Sequence, residues 1–226
     1  MTSREFRVRL LKRAHKAGVT VDPAVGERLE AYFQVLARWN RKINLTAFSL
    51  MDPSDQTLDR LLVEPLAAAR FVPASPLDWF DLGSGGGSPA IPLKAVRPSA
   101  RLVLVESKAR KAAFLREAVR ILEFSDAVVE HARFEEVVKP REGPGDVQLV
   151  TVRGIRVDGK LLEVASRLLE PGGRLLLFGS DPARMPAQAL FRVEATATLT
   201  ESPSSRLLAL RHASAAGQSE AIRQPS

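Results

Sequence analysis

The chain has no cysteine, and only three histidines, two tryptophans and one tyrosine stand among its 226 residues. Without thiols there is no disulfide scaffold, no thiolate metal site and no cysteine nucleophile, and zinc and thiol redox chemistry drop out. No apolar run approaches the ~18 residues that a membrane span needs, and no basic-then-apolar leader opens the chain. The expectation is a soluble, cytoplasmic protein without a bound metal. What remains is a composition 45% hydrophobic and 26% charged, enough for one α/β core with a small appendage.

Positive charge is in excess, with a net charge of +7, and much of it gathers at the amino terminus. Arg4, Arg7, Arg9, Lys12, Arg13 and Lys16 face a single acid, Glu5, in the first sixteen positions. Such a segment suits a transit peptide, a helix facing nucleic acid, or the solvated side of a helix whose Phe6, Leu10 and Ala14 pack inward.

The hydrophobic rhythm changes near residue 77. Before it, helical spacing predicts segments over 3–17, 24–40 and 55–72, the second opened by Asp22 as N-cap and Pro23 at the first helical position. Beyond it, short apolar runs alternate with helical ones. LDWFDL, RLVLVE, DAVVEH, VQLVTV and GRLLLFG are separated by helical stretches at 88–97, 108–123, 133–138 and 159–169, with a last one expected at 182–190. FRVEATATL and SRLLALR close the chain as an antiparallel pair. This pattern predicts an α/β fold with a doubly wound, mostly parallel sheet of seven strands. The expected division is a helical extension over 1–76, a main domain over 77–211 and a disordered tail over 212–226.

The densest signal is DLGSGGGSPAIPL at 81–93, which puts Gly83, Gly85, Gly86 and Gly87 where a strand ends and a helix begins. A ligand beyond the carboxyl end of a strand approaches the backbone there, and a side chain would obstruct it. Ser88 stands where a dinucleotide fingerprint has its third glycine, so that match is incomplete. Asp81 just ahead of the loop would repel a pyrophosphate but suits a ligand that carries an ammonium group. Glu106, at the end of RLVLVE, is placed to accept hydrogen bonds from both ribose hydroxyls of a nucleoside. S-adenosylmethionine, with a ribose, an ammonium and no phosphate, meets these demands better than NAD or ATP. A ligand-free glycine turn, with Glu106 as a helix-start acid, is the structural alternative.

WNRKINLT (39–46), the glycine segment, the run 97–124 and VTVRG (150–154) together resemble the bacterial ribosomal RNA small subunit methyltransferase G family, also called glucose-inhibited division protein B. The resemblance implies a Rossmann-like class I methyltransferase domain. It also implies methyl transfer from S-adenosylmethionine to N7 of a guanine in 16S rRNA; the expected partner is that RNA, either free or in an assembling small subunit, and the expected state is a monomer. It carries cofactor contacts onto Gly83, Ser88, Phe134, Glu135 and Arg153, beside Asp81, Gly85, Gly87 and Glu106 from the loop argument. An arginine at the carboxyl end of a central strand needs a partner, and the cofactor carboxylate, a nearby acid and the RNA are the candidates for Arg153. Arg4, Arg7, Arg9, Lys12 and Arg13, with Lys108, Arg110 and Lys111 of SKARK, are the candidate RNA contacts.

N7 of guanine has a free lone pair and no proton, so the chemistry calls for positioning and no general base. His15, His131 and His212 stand outside any catalytic pattern. The chain departs from the family where relatives carry His-x-x-Asp-Ser, reading Arg60-Leu61-Leu62-Val63-Glu64. It departs again at Phe178-Gly179, where they read Lys-Gly, at Gly154 for alanine and at Ala90 for glycine. A noncatalytic cofactor-binding protein, a methyltransferase for another substrate and a nicotinamide enzyme are the rival readings.

Overall fold

A computed structural model describes residues 1–73, 77–138, 145–181, 183, 185 and 190–213. Helix α1 (Ser3–Lys16) starts in a capping box, Thr2 accepting from the Glu5 amide while Glu5 accepts from the Thr2 amide. Helix α2 (Pro23–Asn40) is capped by Asp22, which accepts from the Ala24 amide at 2.8 Å, with Pro23 in the first turn as expected. The third helical segment is continuous but not uniform: α3 (Asp55–Leu58), a π-helical turn (Asp59–Val63), α4 (Glu64–Ala68) and a 3₁₀ turn (Ala69–Phe71).

Strands β1 (Asp78–Leu82), β2 (Arg101–Val105), β3 (Ala127–Glu130), β4 (Val147–Arg153), β5 (Leu169–Phe178), β6 (Phe191–Thr198) and β7 (Arg206–His212) form one sheet in the order β3-β2-β1-β4-β5-β7-β6. The first five are parallel, and β7 joins β5 and β6 antiparallel. The crossovers are α5 (Ala90–Val96), α6 (Ala109–Ile121) and α7 (Gly159–Leu168). Because β1 lies between β2 and β4, successive connections leave it in opposite directions, and a crevice opens at the carboxyl ends of these strands.

Alternation along the strands separates two apolar layers. Trp79, Leu102, Leu104, Leu149, Leu176 and Phe178 face one side, while Leu82, Val105, Val150, Val152, Leu175 and Leu177 face the other and meet Leu161, Leu162 and Ala165 of α7. With both faces covered, the central strands read as nearly unbroken apolar runs. The first layer also contains Phe6, Leu10, Leu29, Phe33, Leu62 and Leu66. The amino-terminal helices thus share the core of the sheet.

Two boundaries differ from expectation. The stretch at 133–138 is only a 3₁₀ turn, Phe134–Glu136, too short for an α-helix to close its first hydrogen bonds with profit. His212 does not begin a tail: it is the last residue of β7, paired with Phe191, and its ring meets the Ser166 hydroxyl at 2.8 Å and the Glu170 carbonyl at 3.0 Å. Ala213 follows with its amide on the Leu190 carbonyl at 2.9 Å; the expected tail from 214 on, and most of the helix expected at 182–190, lie outside the described residues.

Leu10 is wholly buried between α1 and the rest of the core. Leu10→Ala is expected to cost about 2–5 kcal/mol of stability. Far-ultraviolet circular dichroism and tryptophan fluorescence are expected to keep a single shared urea midpoint, since helices and sheet bury one core; two separated midpoints would refute this.

Candidate active site

The glycine segment leaves β1 by being pulled sideways. The Val105 carbonyl at the end of β2 accepts from the amides of both Gly83 and Ser84, each at 2.9 Å, and the Glu106 carboxylate accepts from the Gly85 amide at 2.9 Å and the Lys108 amide at 2.7 Å. The loop then turns back, with the Gly87 amide on the Ser84 carbonyl at 2.7 Å. Gly85 has φ +52°, a backbone conformation that favours glycine, and a Cβ there would meet only the Gly83 carbonyl oxygen at 3.7 Å, an ordinary contact; the position lines the cavity. Gly87, at φ +88°, is bare for another reason: its Cβ would lie 2.5 Å from the Ile91 side chain, and its absence lets α5 pack closely.

A cavity of about 330 Å³ sits over this loop, within the range of small-ligand sites. Gly83, Ser84, Gly85, Gly86 and Ser88 make its floor, Glu106 and Lys111 one side, and Arg153 and Gly154 the other. The amino-terminal region closes it with Leu36 of α2, Leu45, Thr46 and Phe48 of the connection that follows, and Arg60 and Leu61 of the π-helical turn. Asn40 builds that wall. Its Oδ1 accepts from the amides of Leu45 and Thr46, both at 2.9 Å, and its Nδ2 donates to the Thr46 carbonyl at 3.2 Å. Trp39 is held by Glu117 of α6, its Nε1 donating at 2.8 Å. The Tyr32 hydroxyl donates to the Gly86 carbonyl at 2.6 Å, tying α2 to the loop.

Arg153 leaves the end of β4 with its guanidinium 4.5 Å from the Phe178 ring centroid. Nη1 donates to the Arg60 carbonyl at 2.5 Å and to Ser88 Oγ at 3.0 Å, and Nη2 donates to Glu64 Oε2 at 2.6 Å. Burial pulls its pKa down to about 10, against the opposing pull of Glu64. Its buried Nε–H meets no acceptor among the described residues.

The family described as rRNA small subunit methyltransferase G matches residues 26–203, well over half of the chain. The chain belongs to this family. It is 37% identical over 157 residues to the ribosomal RNA small subunit methyltransferase G of Xanthomonas axonopodis pv. citri (strain 306), covering 70% of each chain. To the protein of the same name from Roseiflexus sp. (strain RS-1) it is 34% identical over 186 residues, covering 82% of this chain and 78% of the relative. Among solved structures, the putative methyltransferase yhhF from Escherichia coli aligns with a TM-score of 0.54 at 12% identity, over 67% of this chain and 86% of that one. The ribosomal protein L11 methylase of Lactobacillus delbrueckii subsp. bulgaricus aligns at 0.52 with 16% identity, over 72% and 81%. At such identities these two speak for the fold, a seven-stranded class I methyltransferase sheet.

For this member of the small subunit methyltransferase G family, the structure brings Gly83, Gly85, Ser88, Glu106 and Arg153 to one cavity. Asp81 lies beneath the loop and off the cavity wall. It is 1% exposed, accepts from Thr151 Oγ1 at 2.6 Å, and Thr151 accepts in turn from Trp79 Nε1 at 2.8 Å. Phe134 packs into the α7 layer, and Glu135 pairs with Lys160 at 3.3 Å; neither lines the cavity. The basic face of α1 is largely spent within the chain. Arg7 meets Glu30 at 2.7 Å, Arg9 meets Asp55 at 2.7 Å, Arg13 Nε meets Asp59 at 2.8 Å, and Lys16 meets Glu201 at 3.6 Å. Arg4, Lys108 and Arg110 are exposed and unpaired among the described residues, while exposed Lys12 acts on Asp55 at longer range.

Sequence reasoning missed Leu36, Phe48, Arg60, Leu61 and Glu64. For Glu64 a signal existed: an acid four residues after an arginine inside an apolar helical stretch, where a charge needs a partner.

Burial raises the Asp81 carboxyl from 3.8 to about 6, despite the Thr151 hydrogen bond that favours its charged form. The fold therefore prefers the protonated acid, and this contribution to stability is full below pH 3.8 and lost as the pH rises through about 6. Asp81→Asn is expected to flatten that part of the decline. The check is the change in Tm from pH 4 to pH 7, smaller in the variant than in the parent.

Proposed function

We propose that the chain transfers a methyl group from S-adenosylmethionine to N7 of a guanine in 16S rRNA, as a monomer in the cytoplasm and without a metal. The observation that carries this reading is the cavity in which the glycine loop, the Glu106 carboxylate and the Arg153 guanidinium converge at the carboxyl ends of β1, β2 and β4.

The residues fit the cofactor. Gly85 lines the cavity without a side chain, and the two oxygens of Glu106, each already accepting one amide, keep a second lone pair for a ribose hydroxyl. The unpartnered Nε–H of Arg153 is a buried donor of the kind that a ligand acceptor explains. S-adenosylmethionine supplies a methyl group on a positively charged sulfur. Glu106 binds the ribose, the loop amides and Ser88 shape the floor, and Arg153 takes the carboxylate. Leu36, Leu45 and Phe48 exclude water from the cavity. Asp81 and Gly87 support the loop from behind. The residues of the cavity would have no proton to move, because N7 of guanine presents a lone pair and no hydrogen. Holding that nitrogen in line with the methyl group is the catalytic contribution.

RNA phosphates are held around the cavity mouth. Lys111 lines the cavity, Lys108 and Arg110 stand near it in sequence at the start of α6, and Arg41 and Lys42 follow α2 a few residues before the lining residues Leu45 and Thr46, exposed and unpaired among the described residues. On α1, Arg4 is unpaired among the described residues and Lys12 makes no close ion pair, acting only at longer range on Asp55. Arg7, Arg9 and Arg13 serve mainly to fasten α1.

The test is transfer of labelled methyl from S-adenosylmethionine to small-subunit RNA from a strain lacking the modification, followed by mapping of the methylated nucleotide. Incorporation at one guanine N7 is expected, and none on bulk protein. Lys108→Ala, Arg110→Ala and Lys111→Ala together are expected to weaken RNA binding and reduce its log–log salt slope by roughly 2–3. Arg7→Ala, Arg9→Ala and Arg13→Ala are expected to lower Tm more than RNA affinity. The reverse pattern would return the RNA surface to α1.

A further inference from the structure

The back wall of the cavity carries a charge cluster that methyl transfer does not by itself require. The Glu64 carboxylate, 3% exposed, accepts from Arg60 Nη1 at 3.0 and 3.3 Å and from Arg153 Nη2 at 2.6 Å. Arg60 reaches it from the π-helical turn, four residues earlier, and Arg153 from the end of β4. Gly179, after β5, makes room: a Cβ there would lie 3.0 Å from Arg60 Nη2. Phe178 supplies the flat surface under Arg153.

Two guanidinium groups share one carboxylate, so the cluster holds one unreturned positive charge at the cavity wall. A buried arginine whose only carboxylate partner is removed leaves its charge uncompensated, and the side chain then turns out toward solvent. Burial already lowers the Arg153 pKa, with Glu64 the main opposing influence.

We propose that Glu64 is a positioning residue for cofactor binding. Its buried carboxylate holds Arg153 flat on Phe178 with the guanidinium turned to receive the carboxylate of the methionyl group. Arg60 is the second half of the arrangement. When Arg153 divides its donors between Glu64 and the ligand, Arg60 stays on Glu64, and the two cations then face two anions. The cavity is thereby divided by charge, with Glu106 at the nucleoside end and the paired arginines at the amino-acid end.

The inference rests on the cofactor reading above, and the experiment separates the two. Calorimetric titration compares S-adenosylhomocysteine with 5′-methylthioadenosine, which keeps the nucleoside and the sulfur but lacks the amino-acid arm. Glu64→Gln is expected to weaken S-adenosylhomocysteine about tenfold, the worth of one charge-assisted hydrogen bond, and to leave 5′-methylthioadenosine affinity unchanged. A residue that only stabilised the fold would weaken both ligands together. Parallel loss, or no loss, overturns the assignment while leaving the cofactor reading in place. A parent protein that binds neither ligand overturns both. Should Glu64→Gln fail to fold, Glu64→Asp, which keeps the charge at shorter reach, is read by the same ratio of affinities, with a selective loss supporting the proposal and a parallel or absent one refuting it.

Discussion

Hydrogen bonds from the loop after β1 to the end of β2 organise the site. The Val105 carbonyl takes the Gly83 and Ser84 amides, and the Glu106 carboxylate takes the Gly85 amide. These bonds draw the chain sideways before a helix can start, so α5 begins only at Ala90 and a crevice is left over the strand ends. A hydrogen bond to a charged acceptor contributes about 1.5–3 kcal/mol, more than its neutral counterpart. Glu106 thus holds the loop with the same two oxygens that line the cavity. Below the loop, the Trp79–Thr151–Asp81 chain fixes β1 against β4, setting how far apart the crevice walls stand.

The amino-terminal helices supply the other half of the cavity and are fastened by charge as well as by apolar packing. Arg7, Arg9 and Arg13 reach acids on α2, on α3 and in the π-helical turn, while Phe6 lies on Phe33 with centroids 5.2 Å apart. Exposed ion pairs such as Arg9–Asp55 contribute little individually. Their use here is orientation: they fix the face that α1 turns inward and hold the π-helical turn that carries Arg60. A cluster of cations that reads in one dimension as a nucleic-acid arm is in three dimensions mostly internal fastening.

Much of the site was legible because it is local. A glycine-rich turn at a strand end needs only neighbouring residues; the Asn40 clamp on Leu45 and Thr46 is equally local, its bonds all within six residues, but along the sequence WNRKINLT reads only as a mark of the family and not as a wall of the site. The Asp22-Pro23 helix start was legible for the same reason. The partners of Arg153 were not, since Glu64 lies 89 positions away and is brought near only when the third helical segment packs over β4 and β5. The partner of Asp81 was not legible either, since Thr151 lies 70 positions on and strand alternation does not reveal the hydrogen bond between them. Helical periodicity at 133–138 also misled, because a short amphipathic stretch makes too few bonds to support a helix on its own.

By itself the sequence determined the alternation of strands and helices, the bare loop after β1, the acid at the end of β2 and membership in the family of small-subunit methyltransferases. These are matters of local backbone preference and short-range pattern. Only the tertiary structure decided which charges are spent within the molecule and which face the cavity. Pairing depends on distances through space that no spacing along the chain encodes, and in a buried cluster a single shared carboxylate decides where two arginines point.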